Sequence, residues 1–386
     1  MTTPIAGAQA ALEAAVRAES AASALAGVHA APAAPAAPAA PAAATTATTS
    51  TTSTAHAVPV ASRRRLLLGP AAAMAGLAAP AFVRAQSDWP RKTIRLVVPF
   101  APGGSSEIVA RSVAVELTKQ LGQTVYVENK PGGAGTVAMA EVAKADRDGH
   151  TLILGHIGTL AVNPAMLPKQ SFDVDRDFVA VTLLARVPNL FVVHPDVPAH
   201  SLKEFVALAK SRPGQLNYGS AGNGSAGHLS MEYLKRVSGT FITHIPYRGT
   251  GPQMVDLLAG RTECGATGAP ASLPHVRSGK LRAIAVGSAA RVPVLPDVPT
   301  IAEQGYPGFE TSQWYGLQAP AGTPDTIVRR LADECNKALR ASAVTERFAN
   351  DAAIGVGNTP EQYAAFIRAE RKRWGEVVKR AGIKPD

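Results

Sequence analysis

Residues 94–106 decide the fold, and they read IRLVVPFAPGGSS. An apolar, β-branched run leads into a Pro/Gly loop, and serines follow at the start of a helical pattern. This order predicts a strand over Ile94–Phe100, an exposed loop and a helix that begins near Ser106. The fold class that it indicates is α/β, provided that similar units follow.

Similar units do follow to the C-terminus, so we predict largely parallel sheets flanked by helices. Further strands are predicted over Thr124–Glu128, Thr151–Gly155, Phe178–Leu184, Leu190–His194, Leu216–Gly219, Phe241–Tyr247 and Leu281–Gly287. Further helices are predicted to begin near Ala134, Ser201, Ala226, Pro252, Pro324 and Pro360. Ser201 and Glu204 form a capping-box pattern, and Thr323-Pro324 and Thr359-Pro360 each place Thr at an N-cap and Pro at the first helical position.

Four Gly-rich loops lie between predicted strands and helices, at residues 99–106, 130–136, 218–225 and 246–252. Glycine lets backbone N–H groups approach a ligand, and each helix start adds unpaired donors and a positive dipole end. In open α/β sheets such loops lie at the carboxyl ends of strands, where ligands bind. Together they predict a binding cleft for an anion, although any one of them alone is typical of a tight turn.

We predict that the first 86 residues consist of a disordered extension followed by an export signal. Residues 1–61 are rich in Ala, Pro, Thr and Ser, and bury too little to offset their ordering entropy. Residues 62–86 combine an Arg63-Arg64-Arg65 cluster, a short apolar run and a small-residue cleavage site near Ala85, a pattern that resembles a twin-arginine signal. A membrane anchor or a basic linker is the alternative. We expect translation to start downstream of Met1, near Val58 or Val60, and the mature protein to be periplasmic.

Charge and cysteine content narrow the function classes. Residues 87–386 contain 34 basic and 27 acidic side chains, hence a net charge of +7. This excess lacks a basic cluster with interleaved aromatic residues, so it favours anionic solutes over nucleic acid, or simply a solvated charged face. Cys264 and Cys335 allow at most one disulfide.

The enzyme motifs that we sought are missing from the sequence. No loop has a P-loop ending or a GxGxxG spacing, so no nucleotide cofactor is predicted. Gly222-Asn223-Gly224-Ser225 lacks the glycine of a GxSxG nucleophile elbow. A hydrolase that uses His228 or His244, oriented by Asp256, stays open as an alternative. No metal-binding motif is present in the sequence, and we predict neither cofactor nor catalytic residue.

The chain from Trp89 to Ile383 resembles the tripartite tricarboxylate transporter substrate-binding family, also called the Bug receptors. The resemblance rests on phrases that occur in the same order, at residues 94–104, 127–135, 216–225, 245–249, 273–283, 295–300 and 319–324. It implies a two-lobed periplasmic-binding-protein (flytrap) fold, with lobe 1 at 88–192 and 313–386 and lobe 2 at 193–312. It also implies capture of a small organic carboxylate between the lobes, often through bound water.

Mapped by this resemblance, the ligand-binding residues come from both lobes. Those of lobe 1 are Phe100, Ala101, Pro102, Gly103, Gly104, Ser105 and Thr159; those of lobe 2 are Ser220, Ala221, Gly224, Ser225, Tyr247 and Arg248. The implied partners are the membrane subunits of a tripartite tricarboxylate-type transporter, without nucleic acid, and we expect a monomer. A ligand-loaded sensor that docks a signalling partner is the alternative output.

Three departures from the family pattern bear on ligand choice. Glu107 stands where an Asp is usual, and we interpret it as a carboxylate in the first turn of a helix. Arg248 stands where a Lys is common and is either a carboxylate clamp or a solvated cation. Residues 262–267 read TECGAT, where the family has an apolar strand that ends in an acidic or amide residue.

Overall fold

The fold was obtained as a computed structural model, which describes residues 89–167 and 169–381. The predicted extension (1–61) and export signal (62–86) lie outside the described residues. The first strands and helices are β1 (Ile94–Val98), α1 (Ser105–Leu121), β2 (Val125–Asn129), α2 (Thr136–Val142) and β3 (Thr151–His156). β1 lies between β2 and β3 and is parallel to both. Its residues 96–98 are almost fully buried, as an apolar central strand requires.

A short turn of π-type helix (Gly158–Val162) and α3 (Asn163–Met166) lead to β4 (Phe178–Val193). The next elements are α4 (Leu202–Ser211), β5 (Asn217–Ser220), α5 (Ala226–Ser238), β6 (Thr243–Pro246), α6 (Thr250–Leu258), β7 (Cys264–Gly268), α7 (Ala269–Arg277) and β8 (Arg282–Val286). β5 is parallel to both β6 and β7, so the second βαβ series repeats the pairing of the first.

The C-terminal part consists of β9 (Ser312–Pro320), α8 (Asp325–Ala338), α9 (Ser342–Asn350), β10 (Ile354–Gly355) and α10 (Pro360–Ala381). The predicted start of α10 is confirmed, since Thr359 and Gln362 exchange side-chain to backbone hydrogen bonds of 3.0 and 3.2 Å. The predicted start of α8 is wrong by one residue. Pro324 is itself the N-cap there, and the Thr323 hydroxyl donates to Pro320 O instead.

The strands form one sheet in the order β2-β1-β3-β9-β4-β7-β5-β6, with β8 and β10 also paired to β4. The outer pairs are parallel, whereas β4 and β9 run antiparallel to their neighbours. β4 pairs with β9 as far as Pro188 and with β7 from Asn189 onward. The prediction of two separate strands over Phe178–Leu184 and Leu190–His194 is therefore wrong, because one sixteen-residue strand joins the two groups of parallel strands.

The point at which β4 changes its pairing partner, between Pro188 and Asn189, is called the crossing of β4 and β9. Apolar cores lie on both sides of it. One contains Val98, Leu184 and Leu317 with side chains of α1 and α8, and the other contains Phe191, Tyr218 and Ala266 with side chains of α4 and α5. Trp374 and Tyr363 of α10 pack on Val97 and Ile153 of the first group of strands. The C-terminal helix thus returns to the strands with which the described chain begins.

Candidate functional site

Two of the Gly-rich loops meet directly. The backbone N–H of Ala101, in the loop after β1, donates to the carbonyl of Arg248, just before α6, at 3.4 Å. Glycine permits this approach, because a Cβ atom on Gly251 would lie 2.2 Å from the carbonyl oxygen of Pro102 and one on Gly249 would lie 2.9 Å from Ala101 N. The residues at 249 and 251 are therefore small because another backbone occupies the space of a side chain.

Behind this contact lies a small polar space, the inner chamber, of about 20 Å³. It is lined by Phe100, Ser105, Ser106, His156, Ala221, Ser225, Ala226, Gly227, Thr250, Gln253, Ala266, Thr267, Gln313 and Tyr315. That volume is close to the space that one water molecule needs. The chamber therefore holds a group no larger than a water molecule in this arrangement.

Three helices begin at the inner chamber. α1 begins with Ser105 and Ser106, α5 with Ala226 and Gly227, and α6 with Thr250. Glycines occupy the N-cap positions of α1 and α6 and offer no side-chain cap. The first backbone N–H groups of a helix have no partner within it, and the helix dipole adds positive potential. Three such ends at one chamber favour an anionic guest.

The inner chamber has no formal charge among its lining side chains. Burial lowers the pKa of His156 to about 3, with a hydrogen bond to Gln313 opposing that shift, so the imidazole is neutral at physiological pH. Its Nδ1 accepts a hydrogen bond from Gly158 N at 2.9 Å, which leaves the proton on Nε2. Burial raises the pKa of Tyr315, so the phenol is neutral as well. An anion here is held by neutral donors.

Buried amides and hydroxyls connect the inner chamber to the crossing of β4 and β9. The Tyr315 hydroxyl donates to Gln313 Oε1, and Gln313 Nε2 donates to Asn189 Oδ1 at 2.5 Å. Asn189 Nδ2 in turn donates to Ser230 Oγ of α5 at 2.8 Å. The buried Thr267 hydroxyl has no hydrogen-bond partner among the described residues, whereas the buried Ser105 hydroxyl lies close to that of Tyr315. An unpartnered buried hydroxyl is costly unless a guest satisfies it.

A larger cavity, the outer groove, adjoins the chamber and measures about 1170 Å³. Its lining comprises Pro99, Phe100, residues 131–136, Met166, Leu167, Lys169, Gln170, Ser171, residues 221–223, Pro246, Tyr247, Arg248 and Pro252. Phe100 and Ala221 line both spaces and form the neck between them. The Phe100 ring packs edge-on against His156, with centroids 5.0 Å apart.

Six of the residues that the sequence predicted as ligand-binding line one or both of these spaces. Phe100 and Ala221 form the neck, Ser105 and Ser225 line the inner chamber, and Tyr247 and Arg248 line the outer groove. The Tyr247 hydroxyl donates to Asp256 Oδ2 at 2.8 Å, which fixes the ring at the groove wall. The Arg248 side chain is exposed.

The other predicted residues lie beside these spaces without lining them. Ala101, Pro102, Gly103 and Gly104 form the loop that abuts residues 248–251. The buried Thr159 hydroxyl donates to the His156 carbonyl at 3.1 Å, and Ser220 Oγ lies 2.6 Å from His244 Nε2. Gly224 N donates to His228 Nδ1 at 3.0 Å. These contacts hold the loops in shape.

The departures at Glu107 and at residues 262–267 both have structural consequences. Glu107 lies in the first turn of α1, where its carboxylate accepts hydrogen bonds from Gly103 N at 2.7 Å and from Arg111 Nε at 2.8 Å. One backbone donor of the loop is therefore already occupied. Residues 264–268 form the buried strand β7, which the sequence analysis did not include among its strands, and Thr267 contributes its hydroxyl to the inner chamber.

The groups of the hydrolase alternative are divided between separate contacts. Ser220 Oγ lies 2.6 Å from His244 Nε2. Ser225 Oγ caps α5 by accepting a hydrogen bond from His228 N at 3.3 Å. Asp256 bonds to Tyr247 and Arg261, at 2.8 Å each, rather than to a histidine. The predicted acid is thus bonded to a phenol and to a guanidinium group.

Sequence reasoning missed His156, Gln253, Gln313 and Tyr315 in the chamber and Lys169 in the groove. Gln313 and Tyr315 are two apart on β9 and so share one face, a spacing that signals two polar side chains aimed at the same space once the strand is recognised. Lys169 follows a short helix and carries no local signal.

The remaining candidate groups have structural explanations. Cys264 and Cys335 are free and buried in separate apolar cores, and burial raises the pKa of the Cys335 thiol to about 12. Within the described ranges, no cluster of three or more His, Cys, Asp or Glu side chains is placed to hold a metal ion. Among the described helices, none is both long and apolar enough to cross a membrane.

A mixed α/β sheet between flanking helices, with a cleft at which three helices begin, is an arrangement typical of solute-binding proteins. Residues 109–383 match the model of the family described as the tripartite tricarboxylate transporter family receptor, and the chain belongs to this family. Protein BugT of Bordetella pertussis is 39% identical over 324 residues, which cover 84% of this chain and 98% of that protein.

Solved structures of similar proteins share the fold. R. palustris Rpa4515, solved with adipate, is 38% identical with a TM-score of 0.76, and the match covers 78% of this chain and 100% of that one. MatC of Rhodopseudomonas palustris, solved with bound malate, is 38% identical with a TM-score of 0.72, and the match covers 75% of this chain and 99% of that one.

Proposed function

We propose that this protein is an extracytoplasmic receptor that captures a small organic carboxylate between two lobes and delivers it to the membrane subunits of a tripartite tricarboxylate-type transporter. Lobe 1 would comprise residues 88–192 and 313–386, and lobe 2 residues 193–312. The crossing of β4 and β9 supports this division, because the pairing partner of β4 changes at Pro188–Asn189.

One observation carries the proposal: three helix N-termini converge on an uncharged, buried chamber. A carboxylate at the neck between Phe100 and Ala221 would face the free N–H groups at the starts of α1 and α5. The Thr267 hydroxyl, which has no partner among the described residues, would find an acceptor there. Charge-assisted hydrogen bonds of this kind are about twice as strong as neutral ones. Adipate and malate in the two R. palustris proteins support the same ligand class.

The mechanism that follows is closure on the ligand. In the open form the loop after β1 and the loop before α6 are apart, and a carboxylate that contacts both stabilises the closed form. The contact between Ala101 and Arg248 and the close approach of Gly251 to Pro102 would belong to the closed form. The closed surface is what the membrane subunits would recognise.

The remaining parts of the proposal concern location and chemistry. Residues 62–86 would direct export to the periplasm, with cleavage near Ala85. Binding would occur without turnover, because Ser225 caps α5 and Asp256 is bonded to Tyr247 and Arg261. The ligand would leave the protein chemically unchanged.

Calorimetric titration and thermal-shift screening test this function. The purified protein is titrated with malate, citrate, adipate, aromatic acids and acidic amino acids, and the solute is analysed after incubation. The proposal predicts that at least one carboxylate binds with a stoichiometry of one and is recovered intact. Hydrolysis of an ester or amide substrate, in the absence of any carboxylate binding, would contradict it.

A further inference from the structure

The loop between β5 and α5 contains Asn223-Gly224, the one Asn-Gly pair in the sequence. At such a pair the backbone nitrogen of the glycine can attack the side-chain carbonyl carbon of the asparagine, because glycine has no Cβ that obstructs the ring being formed. The ring is a succinimide, and water opens it to isoaspartate or aspartate. The pair is therefore a place where the chain can change its own covalent structure.

The Asn223 side chain has the rotational freedom that this attack requires. It lines the outer groove, is partly exposed and forms no hydrogen bond with any described residue. By contrast, the side chains of Asn129, Asn163 and Asn189 donate hydrogen bonds of 2.8 to 3.0 Å to other parts of the fold. Of these asparagines, Asn223 alone can turn its carboxamide onto the backbone without losing a hydrogen bond.

A histidine already holds the proton of the attacking nitrogen. The Gly224 N–H donates to His228 Nδ1 at 3.0 Å, which makes Nδ1 the unprotonated nitrogen of that ring. The His228 ring stacks on His244 with centroids 4.2 Å apart and planes 8° apart, and His244 stacks in turn on Tyr218. A base fixed at hydrogen-bond distance from the proton that it removes has the geometry of general-base catalysis.

Proton removal and attack do not compete for the same direction in space. The N–H bond lies in the peptide plane, whereas the nitrogen attacks along the perpendicular to that plane. The loop also retains the glycine that the reaction needs, because Gly224 has a φ of 70° and a Cβ there would lie 2.7 Å from Met166 Cε. A bulkier residue at position 224, which would slow the reaction, is therefore excluded by the fold.

We propose that Asn223-Gly224 is a self-modification site at which His228 acts as the base. His228 Nδ1 takes the Gly224 N–H proton as the nitrogen bonds to Asn223 Cγ. The bond from Cγ to Nδ2 then breaks, and the imidazolium returns the proton to the departing nitrogen, which leaves as ammonia. Water adds to one carbonyl of the succinimide and opens it to isoaspartate or aspartate, so water is the only other reactant.

The product changes the charge and the length of the loop. It places a carboxylate in a groove whose described lining has no acidic side chain. Isoaspartate also inserts an extra carbon into the backbone between Ala221, which lines the neck, and Ser225, which caps α5. Both changes oppose capture of an anion at the neck. This consequence rests on the proposed function, whereas the chemical step does not.

Mass spectrometry of the protein after incubation at neutral pH measures the chemical step. Trypsin cuts after Lys210 and Lys235 and releases residues 211–235, which contain both Asn217 and Asn223. Asn217 is the internal control, because it lies within β5 and precedes a tyrosine. The peptide 211–235, incubated alone, measures the same Asn-Gly chemistry without a folded base. Enzymatic methylation of isoaspartyl groups confirms the product.

We expect Asn223 to deamidate roughly tenfold faster in the folded protein than in the peptide, and Asn217 to remain intact in the folded protein. His228→Asn keeps an acceptor for the Gly224 N–H but removes the base, so it should slow the reaction to the peptide rate or below. Deamidation in the folded protein that is no faster than in the peptide would overturn the proposal. An unchanged rate in His228→Asn, with folding verified by a thermal melt, would also overturn it. The comparison with the peptide uses the unaltered protein and decides the matter if that variant misfolds.

Calorimetric titration with adipate and with malate measures the consequence for binding. N223D carries the charge of the product and should bind either acid roughly tenfold more weakly than the unaltered protein, because like charges repel. Incubation should weaken binding by the unaltered protein in proportion to its modified fraction and should leave N223Q at its own starting affinity. Full affinity of N223D would refute the effect on binding, whereas failure of every carboxylate to bind the unaltered protein would refute the proposed function instead.

Discussion

Replacement of Gly251 by alanine tests whether ligand binding requires the two loops to touch. In this structure the new Cβ would lie 2.2 Å from Pro102 O and 3.3 Å from Pro102 C. A carbon atom needs more than 3 Å to an oxygen, so the loops must separate by about 1 Å. Gly251 does not have a positive φ, so alanine fits the local backbone without strain.

The expected cost follows from what this separation breaks. The hydrogen bond from Ala101 N to Arg248 O is already 3.4 Å long and would be lost, at a cost of about 1 kcal/mol. Poorer burial of the ligand at the neck adds about 1 kcal/mol more. We therefore expect Gly251→Ala to weaken carboxylate binding about 30-fold. The unfolding temperature should be unchanged or slightly higher, because alanine favours helices over glycine.

Calorimetric titration with the best-binding carboxylate and thermal melts without ligand measure both effects. Gly375→Ala is the matched control, because Gly375 lies in α10 and the nearest atom to its added Cβ is Ala165 Cβ at 4.0 Å. It should gain the same helix stability and keep full affinity. Affinity within twofold of the unaltered protein for Gly251→Ala would refute the closure argument.

Three further predictions concern the crossing, the chamber and export. Asn189→Ala leaves Gln313 Nε2 without its buried acceptor. It should therefore lower the free energy of unfolding, measured in urea, by about 2 to 3 kcal/mol. A loss under about 0.5 kcal/mol would mean that these buried amide hydrogen bonds are dispensable. His156 has a folded-state pKa of about 3, below the ordinary value of about 6.5, so the unfolded state binds its proton first and stability falls as the pH drops from about 6.5 toward 3. His156→Asn should reduce that acid slope by about 1.4 kcal/mol per pH unit in urea titrations at pH 4 to 6, and an unchanged slope would contradict a neutral buried imidazole. Replacing Arg63, Arg64 and Arg65 together by lysine keeps the charge and should abolish the periplasmic form on cell fractionation, whereas normal export would exclude a twin-arginine signal.

Three of the strands were predictable because their own sequences carry the signal. Residues 94–98, 151–155 and 282–286 are apolar runs bounded by Gly, Pro or polar residues, and each is a strand in the structure. The starts of α4 and α5, which Ser201 and Ser225 cap with their side chains, were equally predictable. In each case the deciding interaction is between residues that are only a few positions apart in the sequence.

The central strands were not predictable in the same way. Pro188 suggests a break, because it lacks a ladder donor. It is accommodated because β4 changes partner there, from β9 to β7, so the strand continues. β9 contains Gln313, Gly316, Gln318 and Pro320 and lacks an apolar run, and only pairing with both β3 and β4 makes it a strand.

The site residues divide in the same way, into those that a local sequence pattern predicts and those that only the tertiary structure brings to the site. The Gly-rich loops predict an anion site at the strand ends, and the residues Phe100, Ser105, Ala221, Ser225, Tyr247 and Arg248 from these loops line the two spaces. Gln313 and Tyr315 reach the chamber only because β9 returns from the C-terminal part of the chain. Lys169 reaches the groove through the loop after α3. Neither arrangement has a local sequence pattern.

A crystal structure of the protein with its bound carboxylate tests the central claim most directly. The account predicts one carboxylate group at the neck between Phe100 and Ala221, within about 3 Å of backbone N–H groups at the starts of α1 and α5. The body of the ligand should lie in the outer groove, with the Ala101–Arg248 contact formed. A carboxylate bound elsewhere, or one at the neck that accepts no hydrogen bond from these helix starts, would contradict it.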